Sequence, residues 1–312
     1  MQGVLDSSAG FDRARLRALA LAVIAAVVGV GMAAPAADAA PKRVVALEWE
    51  YVEDLLAVGV TPVGAADLGG FRTWVAIRLP GGIKDVGTRQ EPSLERIAAL
   101  KPDLIITPTF RSAKTLETLR KIAPTMALEP YPAGRRTDEQ YVAMVNNFRR
   151  IAKRVGRSAR GERVISDLAR TQRSLKAKLR RGGRSRIKVT VIQPGGTVGS
   201  PQLRLFTRNS LTNGVLRRLG LRNNWTVRNE KYGFSTVGME ALRRVQNGWA
   251  AFIYPSQYAS TVKRFTSQAS FRNLNMVKKR RVRSIAGNTW PFGGPISTKL
   301  YAQRLAAALL KR

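Results

Sequence analysis

The chain contains 312 residues, of which 44% are hydrophobic, so it can bury a sizeable core and has the length of about two domains. It contains neither cysteine nor histidine. Disulfides, thiolate or imidazole metal sites, Ser–His catalytic triads and ordinary haem ligation are therefore excluded. Lysine and arginine number 54 against 20 aspartate and glutamate residues, and the net charge of +34 favours contact with anionic partners.

The first 39 residues have the pattern of a secretory signal peptide. Arginines within 13–17 precede an apolar stretch at 18–34, and small residues follow it. This order predicts a signal peptide at 1–39 that is cleaved near Ala39–Ala40. A retained membrane anchor is the alternative, although the apolar stretch is short for a bilayer. Because no cysteine is present to carry a lipid, we expect a periplasmic or extracytoplasmic protein without a lipid anchor.

The segment 40–157 is predicted to form an N-terminal α/β lobe, because strand and helix patterns alternate along most of it. In chain order, the predicted elements are a strand at 43–47, a helix at 48–58, a strand at 61–65, a helix at 94–100, a strand at 104–106, a helix at 113–122 and a strand at 126–128. Pro92 and Ser93 mark the start of the third of these helices, since proline suits a first helical turn and serine can cap it. Arg89 and Trp74 are placed in loops. The β-α-β order predicts a parallel sheet.

From Thr137 the pattern becomes helical. Apolar residues recur along 141–155, and a second helix at 158–182 has a narrow apolar seam. At about 1.5 Å per residue, this second helix makes a rod of about 36 Å, which suits a rigid strut between two lobes. The surrounding segment 135–188 holds 18 lysine or arginine residues against 4 acidic ones. This charge indicates either a solvated helix face or a surface for polyanions.

The segment 183–312 is predicted to form a C-terminal α/β lobe. Its predicted elements are strands at 188–193, 203–207, 249–254 and 282–285, and helices at 211–219, 237–245 and 296–310. Aromatic, glycine-flanked loops are placed at 232–235 and 289–295. The fold class is therefore α/β, with two lobes that contain mostly parallel sheets and are joined by one long helix.

Each lobe repeats one local order: a loop with a conspicuous side chain, a short helix with a glutamate near its start, and a strand that ends at proline. In the first lobe the loop carries Arg89 and the helix carries Glu95. In the second lobe the corresponding residues are Tyr232 and Glu240. Two similar lobes joined by a strut leave a cleft between them, and ligands favour such interfaces.

Four motifs resemble a known family. The stretches RVVALEWEYVEDLLAVGVTPVGAAD, DVGTRQEPSLERIAALKPDLII, YGFSTVGMEAL and NTWPFGG are similar to the periplasmic iron–siderophore binding proteins of ABC importers, and most similar to the ferric hydroxamate binders among them. The resemblance extends from about residue 42 to 311. It implies a class III solute-binding protein, with a shallow cleft between two lobes and little hinge closure.

The resemblance also implies a ligand site. Arg89 matches the arginine that bonds hydroxamate oxygens, and its planar fork suits that contact. Aromatic walls would come from Trp49, Trp74, Tyr232, Trp290 and Phe292, with Phe110 or Arg111 at a further position. Tyr232 replaces a tryptophan of the hydroxamate binders, and an additional arginine would suit a more anionic catecholate or citrate complex. Against these roles, Arg89 could pair with Asp85 or Glu91, and Trp49 could belong to the core.

Glu95 and Glu240 match the glutamates that dock on arginines of the membrane permease in this family. Their alternative role is a favourable interaction with a helix dipole. The expected protein is thus a monomeric, non-catalytic carrier that delivers a ferric siderophore to an ABC import permease, with a hydroxamate as the expected ligand. It is expected to have no cofactor, no protein-held metal and no specific nucleic-acid partner. A basic polyanion-binding protein and an enzyme that uses paired carboxylates are the competing hypotheses.

Overall fold

A computed structural model describes residues 40–134, 137–196, 201–227 and 229–311. The predicted signal peptide lies outside these described residues. In the part of the chain that is described, no helix is both long enough and apolar enough to cross a bilayer.

The first sheet contains five parallel strands in the order β3-β2-β1-β4-β5. They are β1 (Val44–Ala46), β2 (Gly64–Ala65), β3 (Lys84–Asp85), β4 (Leu104–Pro108) and β5 (Thr125–Leu128). All five residues of β4 are buried, as expected for a central strand covered on both faces. The carboxyl ends of these strands therefore meet at one edge, where the connecting loops can form a site.

Five helices accompany this sheet: α1 (Trp49–Ala57), α2 (Leu68–Trp74), α3 (Leu94–Ala99), α4 (Thr109–Ser112) and α5 (Leu116–Ile122). The Ser93 hydroxyl caps α3 by accepting the N–H of Arg96 at 3.2 Å, as the sequence predicts. The expectation that Trp74 lies in a loop is wrong, because Trp74 is the last residue of α2. That helix is started by Asp67, whose carboxylate accepts the N–H of Gly70 at 3.0 Å.

Two long helices follow, α6 (Glu139–Arg154) and α7 (Ser158–Arg181). α6 contributes Tyr141 and Met144 to the core of the second sheet, and Phe148 and Ile151 to the core of the first. α7 has 24 residues, which corresponds to about 36 Å, and buries a narrow seam that includes Leu168 and Leu179. Both helices thus pack against the two sheets. The lobe boundaries at 157 and 183 stay a prediction.

The second sheet is mixed. Its strands are β6 (Lys188–Gly196), β7 (Pro201–Phe206), β8 (Arg222–Asn223), β9 (Phe234–Val237), β10 (Trp249–Tyr254) and β11 (Val282–Ala286). The order is β11-β10-β6-β7-β9, with β8 beside the start of β6. β10 runs parallel to β6 and β11, whereas β7 runs antiparallel to β6 and β9. β9 corrects the prediction of a loop through residue 235.

The remaining helices are α8 (Leu211–Arg218), α9 (Ala259–Thr266), α10 (Ala269–Arg272), α11 (Asn275–Lys278) and α12 (Pro295–Leu310), with 3₁₀ helices at Met239–Val245 and Ser256–Tyr258. The short helices between 256 and 278 are not anticipated by the sequence pattern. α12 packs along α7 and also against α1. The last helix of the chain therefore returns to the first sheet, and it begins just after the aromatic loop at 289–295.

Candidate ligand-binding cleft

A cleft of about 300 Å³ opens between the two sheets. The first sheet supplies loops and a short helix that follow β3, β4 and β5, and the second sheet supplies β7, β9 and the loop after β11. The residues that line the cleft are Arg89, Gln90, Phe110, Arg111, Tyr131, Arg204, Tyr232, Phe234, Trp290 and Phe292. Three of them are arginines and none is acidic, so the wall is positively charged.

The guanidinium group of Arg89 contacts two carboxylates and one aromatic ring. Its Nη1 donates to Glu48 Oε1 at 2.7 Å, and its Nε lies 3.4 Å from Asp67 Oδ2. Its guanidinium carbon lies 3.4 Å from the centre of the Trp49 ring, which is a cation–π contact. The alternative pairing with Asp85 or Glu91 is wrong. The carboxylate of Asp85 instead accepts the backbone N–H groups of Leu68 and Gly87.

Glu48 joins Arg89 to a second arginine. Its Oε2 accepts from Arg111 Nε at 3.1 Å, and the residue is only 8% exposed. The two guanidinium groups therefore share one buried carboxylate. This arrangement orients both arginines while leaving other N–H groups of each fork for a ligand.

Arg204 is the third cationic group of the cleft. It points from the antiparallel strand β7, stacks 4.8 Å from the Phe234 ring centre and donates to Gln193 Oε1 at 3.4 Å. Within the described residues no carboxylate pairs with it. An arginine keeps its charge at any physiological pH. An anionic ligand would thus meet an uncompensated positive charge here.

Aromatic side chains complete the walls in two groups. Phe110, Tyr131 and Tyr232 contact one another edge-on, with ring centres 5.1–5.9 Å apart. The ring centres of Trp290 and Phe292 lie 5.0 Å apart, and Phe234 links this pair to Tyr232. Burial raises the pKa of Tyr131, so its phenol stays protonated and can donate a hydrogen bond. These flat surfaces can cover methylene and aromatic parts of a small ligand.

Six of the side chains predicted as ligand contacts line the cleft: Arg89, Phe110, Arg111, Tyr232, Trp290 and Phe292. The other two predicted aromatics lie one layer behind the wall. Trp49 is 3% exposed and supports Arg89 and Trp290 from below, with its ring 4.9 Å from that of Trp290. Trp74 lies 5.4 Å from Trp290 and 5.9 Å from Tyr258, outside the lining set. Their predicted contact with ligand is not supported by this geometry.

Sequence reasoning missed Gln90, Tyr131, Arg204 and Phe234. Two of these carried a usable signal. Phe234 is the second aromatic residue of the YGF motif, and its ring centre lies 6.3 Å from that of Tyr232. Arg204 alternates with the apolar residues Leu203 and Leu205, a spacing that places its side chain on the face of the strand opposite to theirs. Tyr131 and Gln90 lie in loops whose positions only the folded sheet determines.

The two predicted docking residues lie apart from this lining. Glu95 is exposed in the first turn of α3, and Glu240 is exposed in the first turn of the 3₁₀ helix Met239–Val245. No ion-pair partner for either is found among the described residues. Likewise, no three acidic side chains in the described ranges converge in a way that could hold a metal ion.

Known proteins share this sequence and fold. The chain is 30% identical over 274 residues to the Fe(3+) dicitrate-binding periplasmic protein FecB of Escherichia coli, covering 87% of this chain and 84% of the relative. It is 31% identical over 212 residues to the iron(3+)-hydroxamate-binding protein FhuD of the same organism, covering 67% and 68%. The solved structure of FhuD from Vibrio cholerae with bound Fe3+-Desferal matches with a TM-score of 0.79 at 28% identity, over 86% of this chain and 98% of that one.

These matches confirm the resemblance and the fold class expected from the sequence, namely two α/β lobes connected by a long helix. A family model for periplasmic binding proteins covers residues 44–289, which include all the residues that line the cleft except Trp290 and Phe292. The chain therefore belongs to the periplasmic binding protein family.

Proposed function

We propose that this protein captures a ferric chelate in the cleft and delivers it to an ABC import permease from the periplasm or another extracytoplasmic compartment. The observation that carries the proposal is the convergence of Arg89, Arg111 and Arg204 on a small aromatic cleft with no acidic lining residue. A ferric chelate presents negatively polarised oxygens around its metal, and guanidinium forks bind such oxygens in pairs. The chelator completes the coordination of iron, so the protein need supply no metal ligand.

Within this class, the charge of the cleft favours an anionic chelate such as a citrate or catecholate complex. Glu48 and Asp67 offset part of the positive charge at Arg89 and Arg111, but Arg204 has no carboxylate partner. FecB, one of the relatives, is named for ferric dicitrate. The hydroxamate expected from the sequence is the second candidate, supported by the likeness to FhuD with bound Fe3+-Desferal.

The proposal includes no chemical step. The buried carboxyl groups of α1 do not line the cleft, and its aromatic and guanidinium walls suit recognition by contact and charge. We accordingly propose a monomeric carrier without a cofactor and without a specific nucleic-acid partner.

Tryptophan fluorescence tests the ligand, because Trp290 lines the cleft. The protein is titrated with ferric dicitrate, a ferric tris-catecholate and a ferric trihydroxamate, each beside its iron-free chelator. We expect micromolar or tighter binding of at least one ferric complex, with the anionic complexes binding more tightly than the hydroxamate. Absence of saturable binding for all three complexes would refute capture of a ferric chelate.

Arg204→Gln separates the two candidate classes. Loss of this unpaired charge should weaken an anionic chelate about tenfold to a hundredfold, the range for charge-assisted hydrogen bonds. A neutral hydroxamate complex should lose less. Arg173→Gln on the exposed face of α7 is the matched control and should leave every affinity within about twofold. Equal losses for all chelates in Arg204→Gln would contradict charge-based selection.

Delivery is tested separately from capture. Glu95→Arg and Glu240→Arg should keep full chelate affinity, because both residues lie outside the cleft lining. If they dock on permease arginines, uptake of the labelled chelate by cells that express the cognate importer should fall at least about tenfold through like-charge repulsion. Normal uptake by the double variant would exclude this docking mode.

A further inference from the structure

Helix α1 carries an unusual set of buried acids. Glu50, Glu53 and Asp54 are 5%, 0% and 0% exposed, although the chain as a whole is strongly basic. None of the three pairs with a cation in the described part of the chain, and each has at least one carboxyl oxygen without a hydrogen-bond partner. Buried carboxyl groups are costly, so their position requires an explanation.

Glu53 reaches across to the start of α12. Its Oε1 accepts the backbone N–H of Ser297 at 2.6 Å, although the two residues are 244 positions apart. Gly294, which precedes α12, provides no side-chain cap, and Pro295 has no N–H. The carboxyl group of Glu53 therefore occupies the place of an N-cap and is contributed by the opposite lobe.

The two glycines before α12 make room for this contact. A Cβ at Gly293 would lie 2.7 Å from Glu53 Oε2, and a Cβ at Gly294 would lie 2.1 Å from Asp54 Oδ1. Any side chain at either position would displace a carboxyl group. The Gly-Gly-Pro sequence at 293–295 is thus matched to the acids of α1.

The same loop carries the wall of the cleft. Trp290 and Phe292 lie just before these glycines, and Trp290 also packs against Trp49 at the start of α1, with ring centres 4.9 Å apart. α1 consequently holds the loop at two points, through Trp49 at one end and Glu53 at the other.

We propose that Glu53 is a positioning residue for the cleft: its ionised carboxyl group fixes the start of α12 and thereby Trp290 and Phe292, and its protonation loosens this wall. The proposal rests on the proposed function for its effect on binding, but the movement of the wall can be measured without any ligand.

The electrostatics give this contact a titration near neutrality. Burial raises the pKa of Glu53 from 4.5 to about 7, while the Ser297 hydroxyl and backbone N–H groups at the start of α12 act in the opposite direction. Burial, followed by repulsion from neighbouring acids, also raises the pKa values of Glu50 and Asp54. A negative charge interacts favourably with a helix N-terminus, so the cap is strongest above the pKa of Glu53.

Among the described residues no cation pairs with the cluster, and the cations on the cleft side, Arg89 and Arg111, pair with Glu48 instead. The phenols of Tyr51 and Tyr131 lie nearby, and burial raises the pKa of both. α12 faces Glu53 with N–H groups and the Ser297 hydroxyl. The buried residues of α6, which packs against α1, are uncharged side chains. Glu53 is therefore the acid of the cluster that accepts hydrogen bonds from the start of α12, and protonation of its carboxyl group changes this contact.

The ligand-free test is near-ultraviolet circular dichroism, which reports the surroundings of Trp290 and Trp49, measured from pH 5 to 9. The wild-type signal should titrate with a midpoint near 7. Glu53→Gln should remove this transition, whereas Glu50→Gln, a matched substitution on the same buried helix, should retain it. An unchanged transition in Glu53→Gln would overturn the proposal.

The binding test compares the chelate affinities of Glu53→Gln and wild type at each pH. Protonation of the chelate affects both proteins equally and therefore does not change the ratio of their affinities. With ferric dicitrate, we expect the variant to bind about tenfold more weakly than wild type at pH 8. At pH 5.5 the two affinities should differ by less than about threefold, because Glu53 of the wild-type protein is then protonated and, like glutamine, uncharged. The melting temperature of the variant at pH 8 should equal or exceed that of wild type, because a buried charge has been removed. Weaker binding in a protein that is no less stable distinguishes positioning from general loss of structure, and a pH-independent affinity ratio would contradict the proposal.

Ser297→Ala provides a second variant in case Glu53→Gln does not fold. It removes the hydroxyl group that lowers the pKa of Glu53, so the midpoint of the spectroscopic transition should move to higher pH. A midpoint that stays in place would count against Glu53 as its source.

If no chelate binds but these transitions behave as described, the proposed function fails and the positioning role stands. If a chelate binds but the ratio of variant to wild-type affinity is the same at every pH, the positioning role fails and the proposed function stands.

Discussion

At the scale of single residues, the cleft depends on a few buried carboxyl groups that face very different surroundings. Glu48 is 8% exposed and satisfies two arginines, whereas Glu53 is fully buried and faces only neutral donors. The same chemical group therefore serves as a counterion in one place and as a cap in the other.

Glu48→Gln should lower the free energy of unfolding at pH 7 by about 3 kcal/mol, because it leaves the partly buried Arg89 and Arg111 without their shared buried carboxylate. Chemical denaturation measures the change. Glu117→Gln is the control, since Glu117 forms an exposed pair with Arg120 whose loss should cost less than about 1 kcal/mol. Similar values for the two variants would show that Glu48 is not a significant counterion.

Glu53 should make the fold less stable as the pH rises. Its pKa is about 7 in the folded protein against 4.5 normally, so between these values the folded state holds a proton that the unfolded state releases. The contribution is fully present below pH 4.5 and is lost above pH 7, with a size of about 3 kcal/mol. Denaturation midpoints from pH 5 to 8 should therefore fall more steeply for wild type than for Glu53→Gln. Parallel curves would contradict this assignment.

At the scale of elements, the helices that bridge the lobes rely on close backbone approach. Gly214 in α8 faces Tyr141 in α6, and a Cβ there would lie 2.4 Å from the Cβ of Tyr141. α6 carries core residues of both sheets, so its distance from α8 affects the entire molecule. A glycine in a helix interior normally costs stability, but here the tight packing outweighs that cost.

Gly214→Ala should therefore destabilise the protein by about 1–3 kcal/mol through overpacking. Gly69→Ala in α2 is the matched control, because no heavy atom lies within 4 Å of its Cβ position. That substitution should be neutral or stabilise by up to about 1 kcal/mol. Thermal melts of both variants give the comparison, and a stabilising effect at Gly214 would show that α6 and α8 can separate freely.

At the scale of the molecule, the net charge of +34 is far larger than the three arginines of the cleft account for. Part of it lies along α7, where Arg163, Arg173 and Arg181 are exposed and belong to no ion pair among the described residues. Such a face attracts polyanions through counterion release, which is steeply salt-dependent. Recognition in the cleft is local and partly desolvated, so the two interactions can be separated.

Replacement of Arg163, Arg173 and Arg181 by glutamine should weaken binding to a single-stranded polyanion and reduce its logarithmic salt slope by about 2. The affinity for the ferric chelate should stay within about twofold, because none of these residues lines the cleft. Fluorescence titrations at several salt concentrations measure both effects. A parallel loss of chelate binding would indicate that the charge of α7 acts on the cleft at long range.

Local sequence patterns predict most of the elements that carry the site. The apolar run of β4, the cap at Ser93 and the seam of α7 are encoded within a few neighbouring residues, so their prediction needs no tertiary information. Trp74 of α2 was expected in a loop, and α4 is absent from the predicted elements. Each is seven residues or fewer, too short for a clear periodic signal, and depends on packing against its neighbours.

The fold class, the family resemblance and six of the residues that line the cleft can be predicted without a structure, because motifs and periodicity are properties of contiguous chain. The pairing of charges cannot be predicted in this way, because the partners are far apart along the chain. Glu48 is 41 and 63 positions from its two arginines, and Glu53 is 244 positions from Ser297. Arg204 joined the cleft because β7 runs antiparallel beside β6. Such contacts follow from strand order and helix packing across the lobes, which no local pattern specifies.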